Sequence, residues 1–187
     1  MVLGGFLVPT SDSYLRRKLG DAEALPLADR VEMCRRALAD GPWDVFAHGW
    51  ANAFSAGEAI ARAARARLGV EVVAVPCYGA DLAERSHAWA TSGEELHVCV
   101  GRPGHTAAVR RELARHNADA RRRGAPESGL VVVEGELDDV SSTKVRALVR
   151  ARKWGELERS GDVHAEVVAC LRAMPADGTL GVGGDDT

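Results

Sequence analysis

Short apolar runs alternate with charged segments of helical period along most of this chain, and that alternation limits its fold more than any other feature. The runs occupy residues 2–8, 43–47, 70–75, 96–100 and 130–134. Each is strand-length, and Pro9, Pro76 and Gly101-Arg102-Pro103-Gly104 punctuate three of them. Between and after them, residues 27–38 and 55–68 set apolar side chains at helical spacing, and the long charged segment 105–123 and residues 162–174 read as helices. Asp40-Gly41-Pro42 stops the first of these segments, and Gly69 ends the second. Residues 10–19 are polar and read as a loop, while residues 138–146 read as a loop running into a further helix. Strands and helices in this order predict an α/β fold, with a parallel sheet covered by helices on both faces.

Composition narrows the function classes. With 187 residues the chain predicts one domain over residues 1–175, followed by a Gly-rich, acidic, disordered tail over 176–187. A net charge of −3 supplies no field to draw in nucleic acid or an anionic membrane. No apolar run approaches the length of a membrane span. Cys34, Cys77, Cys99 and Cys170 form no CxxC and no Cys/His pair with metal spacing, so they read as reduced thiols of a cytoplasmic protein. His48, His87, His97, His105, His116 and His164 show no zinc-ligand spacing either. Neither a serine nor a cysteine stands in a nucleophile motif, so no residue is assigned covalent catalysis.

Four segments could carry chemistry. Val140-Ser141-Ser142-Thr143-Lys144-Val145-Arg146 follows a strand and an acidic turn and opens a helix. Ser141 or Ser142 suits the N-cap. The free amides and partial positive charge of a helix start attract phosphate, and the hydroxyls of Ser142 and Thr143 with the charges of Lys144 and Arg146 would strengthen that grip. An ordinary capped surface helix would read the same way. Arg16-Arg17-Lys18 could clamp phosphates or simply face solvent. Tyr78-Gly79-Ala80-Asp81-Leu82 comes directly after a strand, at the edge where open α/β sheets bind ligands; Asp81 could accept ribose hydroxyls or only cap the next helix. Trp50 and Trp89 follow strands and could stack on a cationic ring or pack in the core.

Taken in order, these segments resemble the nicotinamide/nicotinate mononucleotide adenylyltransferases, the enzymes that condense ATP with a pyridine mononucleotide and release pyrophosphate. Residues 4–14 and the following Arg16-Arg17-Lys18 match the family's second strand and basic loop. Arg30 matches an arginine at the start of the next helix. Trp50, the Gly79-to-Leu82 motif, Trp89, the strand ending at Gly104 and the Val140-to-Arg146 signature follow in register. The similarity runs from about residue 2 to about residue 173.

The resemblance implies a Rossmann-like, doubly wound parallel sheet of the nucleotidyltransferase type. It implies that Arg17, Ser142, Thr143, Lys144 and Arg146 bind ATP phosphates, that Gly79 and Asp81 hold the adenosine ribose, and that Trp50 and Trp89 flank the pyridine ring. Mg2+ would accompany ATP. The family's opening strand and its Gly-x-Phe-x-Pro…His motif have no counterpart here, and Ser13 stands where a forced alignment would put the last histidine. Val8 also replaces a usual serine, and the span from Asp81 to Trp89 is shorter than in eukaryotic members. The first strand is therefore expected to be missing or swapped: encoded upstream, or supplied by a homo-oligomer or a partner chain. A divergent, inactive homologue is the third reading.

Overall fold

The structure, a computed structural model, describes residues 2, 4–21, 23–50, 53–91, 93–138 and 140–174. The chain divides into two compact units, one of Met1–Asn52 with Ser141–Thr187 and one of Ala53–Val140. The expected tail over 176–187 lies outside the described residues.

The first unit opens with β1 (Gly5–Leu7), which pairs in parallel with β2 (Trp43–Val45), Gly5 opposite Trp43 and Leu7 opposite Val45. A single bridge between Thr10 and Trp50 extends this pairing. Residues 10–19, expected as a loop, contain α1 (Asp12–Leu19) instead. The reason is electrostatic as well as steric. Asp12 lies in the first turn and Arg16, Arg17 and Lys18 in the last, each sign matching the helix end it occupies. Gly20 at φ +82° then turns the chain out of the helix.

α2 (Leu27–Ala37) appears where its periodicity predicts, and buries Val31 and Met33. It packs against α8 (Ala165–Ala173), which buries Val168 and Cys170. α6 (Ser142–Arg150) and α7 (Trp154–Ser160) complete this unit, α7 contributing the fully buried Leu157. α7 falls in a stretch with no predicted element: it is a short, polar helix whose burial rests on Leu157, too little to produce a visible period.

The second unit starts with α3 (Ala53–Leu68). Its sheet is parallel, in the order β3 (Cys77–Gly79), β4 (His97–Val100), β5 (Leu130–Val132). The expected strand over 70–75 does not form; the strand begins later, at Cys77. The ladder explains the shift. Val98 donates its amide to the carbonyl of Pro76, which sets Cys77 opposite Val98. Residues 71–76 therefore lead into the ladder without joining it. Valine-rich composition supplies β propensity, but a strand exists only where a neighbour accepts its hydrogen bonds.

α4 (Ala80–Ser86) and α5 (Thr106–Arg123) cover this sheet. Ala80, Ala83, Ala88, Cys99, Val109 and Leu130 form the core, with Tyr78, Trp89, Leu113 and Val132 against it. α5 ends at Gly124, φ +66°, after three arginines that complement the negative end of its dipole. Among the described residues no helix is long and apolar enough to cross a membrane.

Candidate functional site

The residues that the family resemblance assigns to phosphate, Arg17, Ser142, Thr143, Lys144 and Arg146, lie in the first unit. Ser141 is the N-cap of α6: its backbone is extended and its Oγ accepts the Thr143 amide at 3.3 Å. Such a cap contributes about 1 kcal/mol and leaves the Ser142 and Thr143 hydroxyls at the exposed first turn. Arg146, one turn on, folds back over them. Its guanidinium donates to Ser142 Oγ at 3.2 Å and to Thr143 Oγ1 at 3.3 Å. Two hydroxyls and a guanidinium thus converge on the first turn of α6, with Lys144 on the same turn. Oxyanions bind to such groups.

One partner of this cluster is not visible from the sequence. Glu23, in the loop between α1 and α2, reaches α6. One carboxylate oxygen lies 3.8 Å from Arg146 Nε, and the other bonds Arg150. Arg146 Nε is buried and makes no hydrogen bond. Arg30 anchors the loop at its far end. Its guanidinium donates to the carbonyls of Leu25 and Thr10 and to the Asp12 carboxylate, and its side chain is only 15% exposed. Arg30 acts here as a clamp on the chain path.

Arg17 lies on α1 in the same unit. It is exposed, with its guanidinium 5.6 Å above the ring of Tyr14. Its neighbour Arg16 sits 3.8 Å from Asp21. Trp50 is half-buried, 6.4 Å from the Phe46 ring, and its Nε1 is buried without a hydrogen-bond partner.

Gly79, Asp81 and Trp89 belong to the second unit. Gly79 ends β3, and Asp81 is in the first turn of α4, so both lie at the carboxyl edge of the parallel sheet. The Asp81 carboxylate pairs with Arg102, just past β4, at 3.2 Å. It also folds back over Gly79, where a Cβ would sit 2.7 Å from its Oδ1. Gly101 meets a similar constraint: a Cβ there would approach the carbonyl of Gly135 to 2.2 Å. The loops after β4 and β5 can therefore run together only with glycine at that point. Beside this edge His105 Nδ1 and Glu84 form a 2.6 Å pair, both about two-fifths exposed. Trp89 sits in a 3-10 turn, 5.2 Å from the His87 ring and packed on the core.

At the opposite end of β4, His97 is buried. Tyr78 Oη bonds its Nδ1 at 2.7 Å, and Phe54 stacks on it at 6.1 Å. Its Nε2 is buried without a hydrogen-bond partner, so this histidine is satisfied on one nitrogen only. Burial pushes the Tyr78 hydroxyl up to about 12, with the Cys99 and Cys77 thiols adding to the shift. Burial likewise pushes the Cys99 thiol up. Cys77 is exposed, whereas Cys99 and Cys170 are buried.

The fold and these sites define a mixed α/β protein built on small parallel sheets. No family model matches the chain, and no curated protein or solved structure matches it.

Proposed function

We propose that this chain is a mononucleotide-adenylyltransferase-like protein of Rossmann-like, nucleotidyltransferase type that binds ATP and a pyridine mononucleotide. The observation that carries the reading is the first turn of α6, where Ser141 caps the helix and Arg146 gathers the Ser142 and Thr143 hydroxyls. In this reading that turn, with Lys144, grips the ATP phosphates, and Arg17 adds a cation. Asp81, at a strand end, accepts the ribose hydroxyls, with Gly79 leaving room for its carboxylate. Trp50, in the first unit, and Trp89, in the second, are the candidates to stack on the pyridine ring.

The reaction is attack of the mononucleotide phosphate on the α-phosphorus of ATP, with pyrophosphate leaving. The protein contributes position and charge stabilisation rather than a nucleophile. Among the described residues no group of three or more His, Cys, Asp or Glu could hold a metal ion. Magnesium enters this reading as a companion of the triphosphate, a mode in which it keeps most of its waters. A second strand-supplying chain, or a second copy, belongs to the same proposal, because β1 and β2 pair only with each other among the described residues. Light scattering after size exclusion tests that part.

The deciding experiment is a coupled assay with ATP, Mg2+ and either nicotinamide or nicotinate mononucleotide, run beside calorimetry with ATP. Binding and turnover together support the full reading. Thr10-Ser11-Asp12-Ser13 follows β1 without a histidine, and this favours a second reading: a nucleotide-binding homologue that does not transfer. Binding without turnover would select it. No binding of ATP or of pyrophosphate would remove both.

A further inference from the structure

We infer that Glu23 is a built-in competitor of the anionic ligand of α6, so that ATP binding requires its carboxylate to leave Arg146 and Arg150. The inference rests on the phosphate-binding reading of that helix. Its separate support is the state of the two arginines. They stand one helical turn apart and share one carboxylate, Glu23 bonding Arg150 and lying 3.8 Å from Arg146 Nε. Arg146 Nε is buried and forms no hydrogen bond. A carboxylate between two guanidinium groups presents what a phosphate oxygen pair would present: a planar, anionic acceptor.

The loop that carries Glu23 suits a displaceable element. It leaves α1 through Gly20 at φ +82°, and a Cβ at Gly20 would meet nothing within 4 Å. The Glu23 side chain is 36% exposed and that of Arg150 57%. A pair this open to water is weak and can be exchanged for a ligand. The loop's other end is fixed by Arg30 bonding Leu25 and Thr10, so displacement need not unravel α2. Bound phosphate gains Arg146 and Arg150 only after Glu23 withdraws. The affinity observed is then the intrinsic one reduced by the cost of that withdrawal.

The test is calorimetric titration of the full-length protein with Mg-ATP and, separately, with inorganic pyrophosphate. Glu23→Gln keeps the side-chain shape and removes the charge. It is expected to lower Kd for both ligands by about two- to fivefold. Glu23→Asp, whose carboxylate is one methylene shorter, is expected to give a smaller gain in the same direction. Asp40→Asn, beyond the other end of the 11-residue helix α2 and so about 16 Å further along, is the charge control and should leave Kd unchanged. A Glu23→Gln protein that binds no more tightly than wild type, or more weakly, would overturn the inference. So would an equal gain from Asp40→Asn, because a general field would then explain it. If wild type and Glu23→Gln both fail to bind either ligand, the phosphate-binding reading itself falls and takes this inference with it.

Discussion

Gly79→Ala should be close to neutral for stability when Asp81 is present and stabilising when it is absent. Gly79 has φ −75° and ψ 158°, an extended conformation that alanine adopts without strain. Replacing glycine by alanine in such a place stabilises by about 0.4–1 kcal/mol, because the unfolded chain loses freedom. Opposing this, the new Cβ would lie 2.7 Å from Asp81 Oδ1, closer than carbon and oxygen can approach. The obstacle is the end of a side chain, so the carboxylate swings away and its 3.2 Å pair with Arg102 is lost. Both members are about one-third exposed, which limits that loss to about 0.2–1 kcal/mol. The single substitution should therefore be close to neutral. In an Asp81→Ala background the obstacle is gone, and Gly79→Ala should stabilise by the full 0.4–1 kcal/mol or so. A double-mutant cycle of urea unfolding, followed by circular dichroism, measures the difference. If Gly79→Ala stabilises equally in both backgrounds, the carboxylate does not lie over the strand end.

Three further outcomes follow from the same geometry. Leu157→Ala removes a fully buried side chain from the first unit and should cost about 2–5 kcal/mol, seen as a lowered thermal midpoint. In a Tyr14→Phe protein, absorbance titration should place the remaining tyrosine, Tyr78, near pH 12, above its ordinary value of 10. Between those values the unfolded chain has released a proton that the folded chain keeps. The stability due to Tyr78 is therefore complete below pH 10 and lost as the pH climbs to 12. A thiol reagent should modify exposed Cys77 first and half-buried Cys34 more slowly, while Cys99 and Cys170 react only on unfolding; early labelling of Cys99 would contradict the core described for the second unit.

Much of the local structure was legible because its causes are local. The periodicities of residues 27–38 and 55–68 and the long charged segment 105–123 matched α2, α3 and α5 within a residue or two. A serine cap at Ser141 or Ser142 was readable because a cap needs only its own side chain and the next few amides, and the structure selects Ser141. The α1 segment was misread as a loop. It buries no residue, but Leu15 and Leu19 stand four apart with Tyr14 beside them, and that spacing together with the charge order, acid first and bases last, was the usable signal. The candidate site was legible only as residue types. Ser142, Thr143 and Arg146 could be named, but not their mutual hydrogen bonds or the acid that faces them.

By itself, then, the sequence determined much of the alternation of strands and helices, the boundaries of α2, α3 and α5, and a serine cap for α6. Each of these depends on neighbours within a turn or two of chain. Tertiary structure alone decided that β3 begins at Cys77 rather than among the valines before it, because a ladder needs a partner strand at the right register. It also decided that Asp81 meets Arg102 and that Glu23 meets Arg146 and Arg150. Charged side chains occur throughout this chain, and which opposite charges pair depends on where folding brings distant segments together.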